Sequence, residues 1–147
     1  MVKPIDDFSV AQVTGDLPQS DLLWRGGPVG VRVDGVTLEK QWQVGTEYLL
    51  LLTEDSPYEE GLHIYLLDEE KRVKDALEIA GPYAPGTLRD VAVDDDAAVS
   101  FSFFGEDRWR VEVNASAKGF LTSRVSSPAK RKSGLRGSGV LTAHRVR

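Results

Sequence analysis

The chain has no cysteine. That absence removes disulfide frameworks, thiolate nucleophiles and cysteine-ligated zinc or iron–sulfur centres. Histidine is scarce, with His63 and His144 alone. Long apolar runs are lacking too. The longest, 48–52, falls far short of the roughly 20 residues a helix needs to cross a bilayer. The first eight residues hold no apolar stretch of signal-peptide length, so the expectation is a cytoplasmic protein with no membrane contact. Acid is absent from 114–147: all 23 Asp and Glu residues lie between Asp6 and Glu112.

What is present divides along the same line. Ten of the 18 Lys and Arg residues precede Asn114, and the other eight follow it: Lys118, Arg124, Lys130, Arg131, Lys132, Arg136, Arg145 and Arg147. A net charge of −5 therefore hides a strongly acidic body and a basic tail. Such asymmetry points to a partner or to self-association and names no reaction. A chain of 147 residues, 41% hydrophobic and 28% charged, is a soluble single-core domain in size and composition.

Period-two alternation is the strongest local signal. In 29–44, Val29, Val31 and Val33 alternate with polar neighbours. Asp34-Gly35 follows, then Val36, Leu38, Trp42 and Val44, with Lys40 the misfit on the apolar side. Asp-Gly between two such runs predicts a hairpin that pairs Val33 with Val36 and Val31 with Leu38. Gly45-Thr46 predicts a second two-residue turn into 48–52, which is apolar on both faces and so expected to be a central, doubly covered strand. Strands are also expected at 62–68, 72–80, 88–93, 98–104 and 108–113. Weaker signals give an edge strand at 8–13, a turn of helix at 21–24 and a short strand at Val140 and Leu141.

The expected fold is mainly β: an antiparallel meander of about eight strands, as a curved sheet or an up-and-down barrel, with a basic C-terminal tail. The division expected is an acidic β domain over 1–117 and a Gly/Ser-rich tail over 118–147, disordered or docked on the domain. The tail has too few apolar residues to offset its own ordering entropy.

Chemistry is thin. His63 lies in an expected strand beside Tyr65 and Leu67 and reads as a structural histidine, since catalysis needs convergent partners. No nucleophile elbow is present. The glycine-rich stretch from Gly134 to Gly139 lacks the Gly-Lys-Ser/Thr ending of a phosphate loop. Two acidic clusters stand out: Glu54, Asp55, Glu59 and Glu60 with Tyr58 in one loop, and Asp94, Asp95 and Asp96 at a hairpin tip. Neither has the alternating acids, central glycine and closing glutamate of a calcium loop, and both read as solvated surface. No catalytic residue, metal site or cofactor is assigned, and the chain is read as a non-enzyme.

Three uses of the charge follow. The first is a protein-binding module whose acidic surface draws in a basic partner, in the manner of an immunity-type inhibitor of a bacterial toxin. Its binding residues would be Glu54, Asp55, Tyr58, Glu59, Glu60, Asp94, Asp95 and Asp96. Loop tyrosines such as Tyr58 and Tyr83 suit such an interface. The second is a barrel that encloses an apolar small molecule, lined by Tyr48, Leu50, Leu52, His63, Tyr65, Phe101 and Trp109. The third, nucleic-acid binding through the tail, is disfavoured because the acidic body repels phosphates and the tail offers only Phe120 for stacking.

Overall fold

The structure, a computed structural model, describes residues 2–54, 61–79, 88–95, 97–103, 108–113, 129–131 and 141–146; for 95, 129–131 and 144–146 the description covers the backbone alone. In chain order the strands are β1 (Val2–Pro4), β2 (Phe8–Gln12), β3 (Gln19–Trp24), β4 (Gly27–Asp34), β5 (Thr37–Val44), β6 (Glu47–Thr53) and β7 (Leu62–Leu67). There follow β8 (Val73–Ile79), β9 (Arg89–Asp95), β10 (Ala98–Ser102), β11 (Arg108–Val113), β12 (Ala129–Arg131) and β13 (Leu141–Val146). The mainly β, antiparallel expectation holds, with thirteen strands among the described residues in place of about eight. The strands form three open sheets, not a closed barrel.

A six-stranded sheet, ordered β1-β5-β6-β7-β8-β12, is the middle layer. Its four central strands form the expected meander. The turn at Gly45 and Thr46 sets Val44 opposite Glu47, and Gly45 has φ 64°, as the first position of a type II′ turn requires. The leucine run of β6 explains the layering. Leu49 and Leu51 join one core, while Tyr48, Leu50 and Leu52 join a second on the opposite face. Strand β7 repeats the pattern with Leu62, Ile64 and Leu66 on one side and Tyr65 and Leu67 on the other. Burying a leucine of this kind contributes roughly 1.5–3 kcal/mol, so both faces of these strands demand a cover.

Two smaller sheets supply the covers. The first core is closed by a four-stranded sheet ordered β13-β11-β10-β9, through Val99, Phe101, Trp109, Val111, Val113, Leu141 and Ala143, with Phe103 just beyond β10. The second is closed by the three-stranded sheet β2-β3-β4, through Phe8, Leu22 and Val33, with Trp24 packed against it. Two pieces of the basic segment thus belong to the sheets. Strand β12 pairs with β8, and β13 pairs with β11 from Leu141 opposite Val113 to Val146 opposite Arg108.

Two local expectations are corrected. Residues 21–24 are not helical: they lie in β3, where Leu22 points into the second core. Asp34-Gly35 does not close a hairpin. Strand β4 pairs with β3, and β5 pairs with β6 and β1, so Gly35 is the corner at which the chain changes sheets. A type I′ turn needs two consecutive residues at positive φ, and here only Gly35, at 106°, has it. The corner is held by Gly35 N–H donating to Pro18 O (2.6 Å), Ser20 Oγ donating to Gly35 O (2.9 Å) and Val36 N–H donating to Thr53 O (2.9 Å).

A bulge in β5 also changes which residues share a face. Leu38 opposes Leu52 and Lys40 opposes Leu51, so Glu39 has no opposite number. The extra residue turns the strand over. Leu38 packs toward the second core, Trp42 and Val44 toward the first, and Lys40 stays exposed. After the bulge Gln41 faces the three-stranded sheet. Its amide accepts from Phe8 N–H (2.8 Å) and donates to Phe8 O (3.0 Å), joining the two layers at one residue.

Candidate functional site

The predicted partner-binding residues divide among three situations. Asp55, Tyr58, Glu59, Glu60 and Asp96 lie outside the described residues, as does Tyr83, and Asp95 is described by its backbone only. Asp94 sits on the four-stranded sheet, on the face turned away from the core. It accepts a hydrogen bond from Ser100 Oγ (2.8 Å) and an ion pair from Arg110 (2.8 Å), while the same guanidinium holds Glu112 at 3.0 Å. Glu54 lies at the end of β6, on the face covered by the three-stranded sheet. The central sheet and the first core separate Glu54 from Asp94, so these two acids do not share a patch.

Glu54 is the described residue from which the acidic loop departs. Its backbone N–H donates to Gly61 O at 3.3 Å, which ties the two ends of the loop together. Its carboxylate reaches sideways to His63, with Oε2 2.6 Å from Nε2. His63 is 2% exposed and stands in β7 directly opposite Glu78 of β8 and Leu52 of β6. One donor atom from each of Glu54, His63 and Glu78 lies within 4.8 Å of the others. Three neighbouring strands therefore place two carboxylates and an imidazole on one face of the sheet.

Two glycines make room for that cluster. A Cβ on Gly61 would meet Glu54 Oε2 at 2.6 Å, and one on Gly35 would come within 3.6 Å of His63 Cδ2 and 2.9 Å of Leu52 Cβ. One step further along β7, the Tyr65 hydroxyl accepts from Asp34 N–H (2.9 Å) and donates to Asp34 Oδ2 (3.3 Å). Asp34 in turn accepts from the Gln19 side chain at 3.0 Å. Burial raises the pKa of the Tyr65 hydroxyl well above its ordinary value, and the charges of Asp34 and Glu78 add to the shift. The hydroxyl is thus held as a neutral donor beside the carboxylates.

Sequence reading reached Glu54 by composition and His63 as a structural residue, and it missed Glu78. A simple hairpin with its turn at 68–71 sets Ala76 opposite His63. The real connection is longer: Asp68 N–H donates to Arg72 O, Lys71 adopts φ 66°, and Lys74 is a bulge between Leu67 opposite Val73 and Leu66 opposite Asp75. These irregularities bring Glu78 opposite His63. The one signal available was Glu78 on the polar face of an alternating strand.

The lining proposed for a small-molecule barrel does not converge. Tyr48, Leu50, Leu52 and Tyr65 belong to the second core, Phe101 and Trp109 to the first, and the central sheet stands between. Two open grooves of about 440 Å³ each lie elsewhere, one beside Ile5, Trp42 and Val91, the other beside Leu22, Pro28 and Val31. Among the described residues, no helix is long and apolar enough to cross a membrane. No protein-family model, curated protein or solved structure matches the chain.

Proposed function

We propose that the protein is a non-enzymatic binding module that uses acidic residues to hold a basic protein partner, in the style of a cytoplasmic immunity-type inhibitor of a bacterial toxin. The observation that carries this reading is where the acids outnumber the bases. Among the described residues, seven carboxylates elsewhere in the body pair with a base: Asp7 with Arg25, Asp21 with Arg32, Asp68 and Glu70 with Arg72, Glu47 with Lys74, and Asp94 and Glu112 with Arg110. Positions 54–60 carry Glu54, Asp55, Glu59 and Glu60 with no base among them. The Glu54 to Gly61 backbone bond and the Glu54 to His63 contact anchor both ends of that stretch to the central sheet. A fixed concentration of negative charge accelerates encounter with a cationic surface.

This narrows the binding surface to Glu54, Asp55, Tyr58, Glu59 and Glu60. Asp94 is committed to Arg110 and becomes the internal control. The test is capture of host proteins on the immobilised full chain, comparing the native sequence with an Asp55→Lys, Glu59→Lys double variant and with Asp94→Lys. A partner retained by the native chain and by Asp94→Lys, but lost at least tenfold by the double variant, is expected. Equal retention by the double variant would remove the loop from the reading.

A further inference from the structure

We propose that Glu54, His63 and Glu78 form a binding site for a divalent transition-metal cation of the zinc type. The inference goes beyond the partner-binding reading and stands without it. It begins with register. Glu54 follows β6, and His63 and Glu78 are direct cross-strand neighbours in β7 and β8. Cross-strand neighbours on one face have Cβ atoms about 4.5–5.5 Å apart, close enough for their side chains to share a ligand. Donor atoms from all three residues already lie within 4.8 Å of one another.

The donor set selects the ion. Zinc takes imidazole nitrogen at about 2.0–2.1 Å and carboxylate oxygen at about 2.0–2.2 Å, so its ligand atoms stand roughly 3–4 Å from one another. Glu54 and His63 are already closer than that, and flexible glutamate side chains can adjust the remainder. An imidazole is a poor ligand for calcium or magnesium, which prefer all-oxygen shells, and the lack of cysteine excludes thiolate-loving copper(I). Three protein ligands leave a fourth position for water.

The scaffold is rigid where a metal site needs it to be. His63 is enclosed between the central sheet and the Gly35 corner, which fixes its ring. Glycine at 61 leaves the space that the Glu54 carboxylate occupies beside Nε2, since a Cβ there would stand 2.6 Å from Oε2. A hydrogen bond to His63 needs one carboxylate. The second, Glu78, turns the pair into a three-donor cluster.

Binding replaces one hydrogen bond by two coordination bonds: the ion takes a lone pair from Glu54 Oε2 and one from His63 Nε2, the two atoms that face each other at 2.6 Å. A metal-bound histidine is neutral and carries its proton on the other ring nitrogen.

The test is calorimetric titration of the full chain with ZnCl2. One saturable site per chain is expected. Glu78→Gln, which keeps shape and removes charge, should weaken the site at least tenfold, and His63→Ala should abolish it. A triple loop variant, Asp55→Asn with Glu59→Gln and Glu60→Gln, should leave it unchanged. If His63→Ala fails to fold, Co2+ binding by the native chain and by Glu78→Gln, read from the visible absorption of the bound ion, carries the same comparison. The proposal is overturned by a titration with no saturable site. It is equally overturned by an affinity that Glu78→Gln leaves intact, or by loss of the site in the triple loop variant, which would assign the metal to the loop. Because the probe is the metal alone, none of these outcomes depends on a protein partner.

Discussion

The carboxylate of Asp75 accepts the backbone N–H of Leu141 at 3.0 Å, across 66 positions of sequence. Asp75 is fully buried in β8, on the face shared with Leu77 and Ile79, and its other oxygen accepts from Ala76 N–H at 2.9 Å. An acid of the body thus receives the first residue of β13, the strand that lies within the basic segment.

Replacing Asp75 with leucine removes the acceptor for both amides. Losing a buried hydrogen-bond partner costs about 1–3 kcal/mol each, so a loss of roughly 2–6 kcal/mol is expected. Asp75→Asn, which keeps one carbonyl oxygen, should cost less. Urea denaturation measures the loss, and hydrogen exchange at Leu141 should quicken more than exchange in β6.

Gly35→Ala should destabilise more than Gly45→Ala. Both glycines have positive φ, but a Cβ at Gly35 meets Leu52 Cβ at 2.9 Å and Thr53 O at 3.3 Å, whereas one at Gly45 meets nothing within 4 Å. The backbone conformation alone costs about 1–3 kcal/mol for a non-glycine residue. The steric term falls only on Gly35. Thermal melts of the two variants decide the order.

Stability should decline in strong alkali because of Tyr65. Its folded pKa is raised above the ordinary value of 10.0. A group raised in the folded state contributes stability that is complete below its unfolded value and is lost as pH climbs toward the folded one. Melting temperature should therefore be insensitive to this residue up to about pH 9 and then fall, given the ordinary tyrosine value. Tyr65→Phe should be less stable at neutral pH, having lost the Asp34 contacts, and should show a flatter alkaline limb. A limb of the same steepness in the variant would remove Tyr65 as its cause.

Arg110→Gln tests whether the Asp94 cluster is truly committed. The pair is partly exposed, so its removal should cost no more than about 1 kcal/mol. Releasing Asp94 and Glu112 adds negative charge to the outer face of the four-stranded sheet. Association with a basic partner at low salt should then be faster, by stopped-flow measurement, with little change above about 0.3 M salt.

Much of the fold was legible because alternation and tight turns are local. The meander from β5 to β8, the meander from β9 to β11, the doubly buried β6 and the edge strand β2 all follow from period-two patterns and from Gly45. What failed were the points where one residue changes the outcome. Asp34-Gly35 looks like a hairpin turn because its composition permits one. The chain turns a corner there because Val33 and Leu38 pack on the same core from different sheets. Leu22 supplied too little pattern to mark 21–24 as a strand. For the candidate site, composition found Glu54 and the strand pattern found His63. Glu78 required the register of β7 against β8, which the longer connection over 68–72 and the Lys74 bulge reset out of sight of any local rule.

The Glu39 bulge makes β5 a strand with two allegiances, since Leu38 serves one core and Trp42 and Val44 the other. Its tolerance to change should therefore be lopsided. Glu39 itself is exposed, and a substitution there alters one side-chain contact, the bond it accepts from Thr53 Oγ1. Deleting it would leave Leu38 and Lys40 adjacent in a regular ladder, still opposite Leu52 and Leu51, with each side chain on its present face. Adding a residue between Lys40 and Trp42 would set Leu38 and Trp42 on one face unless a second bulge formed, so position 39 is open both to substitution and to loss, while the stretch from Lys40 to Trp42 is closed to gain.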